Sequence, residues 1–259
     1  MKMKIKHPAP KKTSNHLAFL KSSSKAILFI TLLFFGSTLF GFLNANALSA
    51  IIAPILKDLI EKTSDLSGIS LIVYIFINNA LASLIGLVLG IFLGIFPLIT
   101  AITNGVILGF VLERTVQSVS ILQLWRLFPH GVFELPAIFI SLGLGINLSL
   151  SMLKNYLAKN KNNKAKQIAG ILSLLLGLVS IFVLNLSTNM PNYAITLALF
   201  IIGLLYLAPF IFLFFIADKK TRKFNAKIIF NALKVFFLIV IPLLIIAAII
   251  EGLLITFLP

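Results

Sequence analysis

Cysteine is absent from the chain, tryptophan occurs once, histidine three times, and only seven of the 259 residues are acidic. Without cysteine there is no disulfide, no thiolate metal site and no thiol nucleophile, and the redox compartment stays open. Charge of both signs together makes up only 11% of the chain, where a soluble domain carries about a quarter. The sequence shows no P-loop, no dinucleotide fingerprint, and none of the period-two alternation a β-barrel needs. What is present is apolar: 59% of residues are hydrophobic, 24 of them Phe, and the mean hydropathy is +1.09. Such a surplus has to be solvated by lipid, so the chain reads as an integral membrane protein.

The net charge of +15 would suit a nucleic-acid binder, but its distribution does not. The lysines stand in blocks between apolar runs, where they orient spans and attract anionic headgroups. The expected partner of the basic blocks is therefore the anionic cytoplasmic leaflet, and no nucleic acid is expected.

Seven apolar segments are legible, at about 26–43, 71–96, 97–112, 127–151, 168–186, 194–217 and 235–258. In hydrocarbon the backbone must satisfy its own hydrogen bonds, so they are read as helices. The fold class is an all-α polytopic bundle with a short or broken third helix and a fourth kinked by proline. The third segment has about 15 residues, roughly 22 Å of helix, against a hydrocarbon core of roughly 30 Å. Seven lysines precede the first segment, five basic residues (154–166) separate the fourth and fifth, and six (219–234) separate the sixth and seventh. If all seven cross, these blocks share one side. The positive-inside rule makes it the cytoplasm, with the N-terminus there and Lys57, Lys62, Arg114 and Arg126 opposite.

Residues 1–25 are thus a basic cytoplasmic tail and 26–259 a single transmembrane domain. The basic start, the apolar run and Ala45-Asn46-Ala47 also resemble a signal peptide, but the length of both parts favours an uncleaved anchor. Between the first two segments, Ile51, Ile55, Leu59 and Ile60 recur at helical spacing, with charges on other faces. That pattern predicts an amphipathic helix on the outer surface, a membrane-resting connector or a partner contact.

Ala82, Gly86, Gly90 and Gly94 recur every four residues, a flat stripe that lets another backbone approach. Gly105 with Gly109, and Ala137, Ser141 and Gly145, repeat the device. Packing between helices of one chain is the favoured reading, a homodimer seam the other.

Asn79 and Asn104, with Asn78 beside the first, are polar groups inside apolar runs. The stretch from Phe128 to Pro136 is the most unusual one. Pro129 suits the first turn of a helix, His130 and Glu134 fall one turn apart on one face, and Pro136 should kink the helix. A second intramembrane acid, Glu251, lies in the last segment. Ionised acids at that depth cost about 2.5–3.5 kcal/mol on insertion scales, so both should be paired, neutral or facing water. Asn79, Asn104, His130, Glu134 and Glu251 are therefore read as one intramembrane polar cluster. His130 and Glu134 with Glu251 would make three metal ligands. There is no second histidine outside the N-terminal tail, however, so neither a metal, a cofactor nor a catalytic residue is expected.

Asn78-Asn79 opening a glycine-striped span, Asn104-Gly105 with Gly109, Pro129-His130-Gly131 with Glu134-Leu135-Pro136, and Ala247-Ala248 with Glu251-Gly252 resemble the stage II sporulation protein M family. The resemblance covers 71–151 and 235–259 as the core, with two extra spans at about 160–217 as an apparent insertion. It implies a non-enzymatic scaffold in the cell membrane, working beside other membrane or envelope proteins. The alternative is a transporter or channel lined by the polar cluster, because short or broken helices at mid-membrane often form transport sites.

Overall fold

The computed structural model describes residues 15–118, 128–188, 197, 201, 203–204, 207–208, 210–211, 214 and 219–257. Every element among them is helical. In chain order they are α1 (Asn15–Ser22), α2 (Ser24–Leu43), α3 (Ala45–Thr63), α4 (Gly68–Leu89), α5 (Ile95–Ser118), α6 (Phe128–Lys159) and α7 (Lys164–Thr188). After the region from 189 to 218 come α8 (Lys219–Val235), a π-helical segment (Phe236–Val240) and α9 (Ile241–Phe257). Six helices among the described residues are long and apolar enough to cross a membrane. The expected sixth segment, 194–217, falls mostly outside the described residues, so these helices account for the other six.

The exterior carries the signature of a lipid-facing bundle. Leu28, Leu32, Leu39 and Leu43 on α2 and Ile69, Ile77, Leu81 and Ile85 on α4 are exposed. Apolar surface of this extent is at home in hydrocarbon.

The break between the second and third segments comes seven residues earlier than the apolar pattern suggested, at Leu89 rather than Phe96. The α4 helix ends at Leu89, and a tight turn over 90–94 puts Leu93 (φ 57°) and Gly94 (φ 70°) in the left-handed region. Gly94 therefore serves the turn rather than a helical stripe, and a Cβ there would stand 3.0 Å from Ile146. The turn is covered by protein: Phe92 is buried and packs on Phe210. The helix after it is not short. The 24 residues of α5 make about 36 Å, because Glu113, Arg114, Thr115 and Gln117 continue the helix beyond the apolar run.

The most enclosed span is α6, which is flanked by α2, α4, α5 and α9. Its Leu142, Leu144 and Leu148 are fully buried. Pro129 lies in its first turn, and the helix is continuous through Pro136. The last helix runs without interruption from Lys219 to Thr256, 38 residues or about 57 Å. Its π-helical turn has a local cause. Pro242 has no N–H to donate, and just before it the Ile241 N–H reaches five residues back to the Phe236 carbonyl.

That length exceeds a bilayer, so α8 projects beyond it. There α8 packs on α1 and on the end of α6, with Asn225, Ile228 and Ala232 turned inward. Lys21, Lys25, Lys154, Lys159, the 161–166 lysines and those of α8 all collect at this end of the bundle. Lys159 Nζ donates to Thr221 Oγ1 (3.4 Å), which ties α6 to α8 there.

Candidate functional site

The spans are brought close by small residues. In α4 and α6, which run parallel, a Cβ on Gly90 would lie 2.5 Å from the Gly145 Cα, and one on Gly86 would run into Leu142. One turn further along, Ser141 Oγ donates to the Ser83 carbonyl (2.8 Å), and both serines are buried. The buried face of α4 thus carries Ser83, Gly86 and Leu87 and is continued by Gly90 just past its end, whereas Ala82 is exposed. A second parallel pair forms between α2 and α5. A Cβ on Gly105 would stand 2.5 Å from the Phe34 carbonyl, and one on Gly109 would strike the Thr38 carbonyl. Gly86, Gly90, Gly105 and Gly109 therefore all face helices of their own chain.

These approaches bring α4, α6 and α9 around one polar cluster. His130 and Glu134, one turn apart on α6, share a face, and Glu251 comes to them from α9. One ligand-type atom from each of the three lies within 4.8 Å of the others. Asn79, midway along α4, donates from Nδ2 to Glu134 Oε1 at 3.0 Å. Gly252 lets α9 lie this close, since a Cβ there would run into Ile72 of α4. All four polar residues are half-buried. The cluster can do two things chemically: hold a proton or cation between carboxylates, or pin three spans together by directional bonds.

Asn104 is not part of it. Its Nδ2 donates to the Thr100 carbonyl of its own helix (2.9 Å) and the residue is exposed, so the five-residue cluster expected from sequence is a four-residue one. An asparagine in an apolar helix can meet its hydrogen-bonding need locally, one turn back, and spacing does not distinguish that from a contact between helices. Asn78 also faces outward, and its Nδ2 reaches the Asn79 Oδ1 at 3.4 Å.

A separate polar junction fastens α3 to α5. Arg114 Nη2 donates to Asn46 Oδ1 (3.0 Å) and to the Ala45 carbonyl (3.3 Å), while its guanidinium lies over the Phe110 ring, 5.2 Å from the centroid. Glu113 is buried beside it, 3.5 Å from Arg114 Nε, and accepts from Gln117. Ala45-Asn46-Ala47 thus lies inside α3, with Ala45 buried. At the other end of the bundle, Asn147 Nδ2 donates to Ser23 Oγ (2.9 Å) and Ser22 Oγ (3.1 Å) and joins α6 to the start of α2. Asn46 stands out in the sequence only as the middle of the signal-peptide-like Ala45-Asn46-Ala47, and Asn147 not at all, although Asn147 carries the same signal as Asn79, an amide in an apolar run.

Comparison with known proteins gives one positive result. Residues 30–188 match the family described as Stage II sporulation protein M, a stretch from within α2 to the end of α7. No curated protein and no solved structure matches the chain. The match covers more than half of the sequence and takes in the glycine-packed spans and three of the four cluster residues, so this multi-pass membrane protein belongs to the stage II sporulation protein M family.

Proposed function

We propose that the protein is a non-enzymatic membrane scaffold, a partner-binding component of a complex associated with the cell envelope. The observation that carries this reading is the Asn79–Glu134 bond inside the cluster of His130, Glu134 and Glu251. The polar groups of three spans are turned toward one another, as in a joint that fixes helix positions. The glycine contacts are likewise used up within the chain, which leaves the apolar exterior and α3 as the surfaces offered to partners. On α3, Ile51, Ile55, Leu59 and Ile60 are exposed, and Lys57 and Lys62 pair with Glu61 and Asp58 along the helix. The basic end of the bundle faces the cytoplasm in this reading, because lysine-rich segments are retained on that side and attracted to its anionic lipids.

The test is a photo-crosslinking amino acid placed at Leu59 on α3 and at Leu32 on the exterior of α2, activated in intact membranes. The proposal expects discrete protein adducts at one or both positions. A second reading, transport, has one observation in its favour: all cluster residues keep partial exposure. Lipid adducts alone, together with a proton or cation flux in proteoliposomes that depends on Glu134, would replace the scaffold by a transporter.

A further inference from the structure

We infer that His130, Glu134 and Glu251 form a binding site for one divalent transition-metal ion, zinc being the reference case. The sequence argued against a metal because only one histidine is available. It could not show that Glu251, 117 positions beyond Glu134, closes the set from another helix. One imidazole nitrogen and two carboxylate oxygens are acceptable ligands for zinc, manganese, iron or cobalt. With metal–ligand bonds of about 2.0–2.2 Å, a tetrahedral site holds its ligand atoms about 3.3 Å apart. The three atoms already lie within 4.8 Å of one another, so each closes the gap by moving about an ångström, a modest rotation of a carboxyl or a ring.

Three features beyond proximity favour an ion. The first is charge. Two carboxylates side by side in an apolar bundle are costly, and a divalent cation bound to both with a neutral imidazole brings the site to zero net charge. The second is support. Asn79 holds Glu134 by one oxygen and leaves the other available, the role that partners of ligating carboxylates play in metal sites. The third is rigidity. Two ligands are one turn apart on α6, the most enclosed span, and the third is carried by a helix pressed against α4 at Gly252. Three protein ligands leave a fourth position, which water fills. The inference does not depend on the scaffold reading; it concerns what occupies the joint.

The full chain, purified in detergent with a tag that contains no histidine, is stripped with chelator and titrated with Zn2+ and with Co2+. The expected results are about one ion bound per chain, a Co2+ visible spectrum of the intense four- or five-coordinate type, and a melting temperature that rises with Zn2+ and returns with EDTA. Glu251→Gln and His130→Asn should each weaken binding at least tenfold and abolish the Co2+ spectrum. The two N-terminal histidines are untouched in both variants, so binding that persists in either one locates the metal elsewhere and overturns the site. A stripped wild-type chain that takes up no ion also overturns it, leaving a hydrogen-bonded cluster only. If Glu251→Gln does not fold, His130→Asn alone decides, by the same spectrum.

Discussion

A methyl group added at Gly90 is the sharpest probe of how this bundle is held together. The Cβ of Gly90→Ala would sit 2.5 Å from the Gly145 Cα, where ordinary contact begins at 3.4 Å, so α4 and α6 must separate by about 0.9 Å. Backbone cannot rotate away as a side chain can, and overpacking of this kind costs about 1–3 kcal/mol. The separation also strains the Ser141–Ser83 bond, worth about 0.6 kcal/mol by the average for bonds between membrane helices. The expected destabilisation of Gly90→Ala is therefore about 2–3 kcal/mol, and more for Gly90→Leu. Two controls set the scale. At Gly86 the obstacle is the end of the Leu142 side chain, so Gly86→Ala should cost less. At Gly36 a Cβ meets nothing within 4 Å, so Gly36→Ala should be neutral or stabilising by helix propensity. Reversible unfolding in mixed micelles reads all three, with size-exclusion light scattering alongside. Equal stabilities for the three variants would refute the internal seam. A monomer of unchanged stability that only loses self-association would move the stripe to an interface between chains.

Other consequences follow from the same contacts. Glu134→Leu strands the Asn79 amide and should cost about 1–3 kcal/mol, whereas Glu134→Gln in chelating buffer keeps an acceptor for it and should cost less than half of that; equal losses would mean that the Asn79 bond contributes nothing. Arg114→Ala removes the bonds to Ala45 and Asn46 and should loosen α3 by about 1–2 kcal/mol, seen as faster amide exchange across Ala45–Thr63 with α4 and α6 unaffected. Single cysteines at Asn162 and Lys223 should be protected from an impermeant thiol reagent in intact cells while one at Ser64 is labelled; labelling at Asn162 would invert or break the proposed topology.

How much of this was legible depended on the range of the signal. Hydropathy is local, and it found the α2, α4, α5, α6, α7 and α9 spans, with both ends of α2 and α7 within about four residues and one end of each of the others off by six to eight. It misjudged α5, because Glu113 and Arg114 ended the apolar run although both continue the helix and Arg114 bonds to α3. It also ran α4 through to Phe96, since Ile91, Phe92 and Leu93 are as apolar in a buried turn as in a span; only the positive φ at Leu93 and Gly94 marks the break. The i, i+4 relation of His130 and Glu134 is fixed by helix geometry and was readable at once. That Glu251 joins them was an expectation from the cost of burying two acids, and only the rotation of the last helix, which no local pattern encodes, decides it. Asn79 and Asn104 look alike in sequence, yet one faces α6 and the other bonds its own Thr100 carbonyl.

The claim on which the rest turns is that Asn79 and Glu134, 55 positions apart, are direct partners in one joint between spans. A double-mutant cycle of Asn79→Ala, Glu134→Ala and the double variant, followed by reversible unfolding of the full chain in mixed micelles, measures it. Bonds between membrane helices give coupling energies of about 0.6 kcal/mol on average and up to about 1.7. A side-chain pair at 3.0 Å inside a cluster that also holds His130 and Glu251 should lie in the upper half of that range. Losses that simply add, with a coupling energy of zero, would contradict the shared cluster and the scaffold built on it.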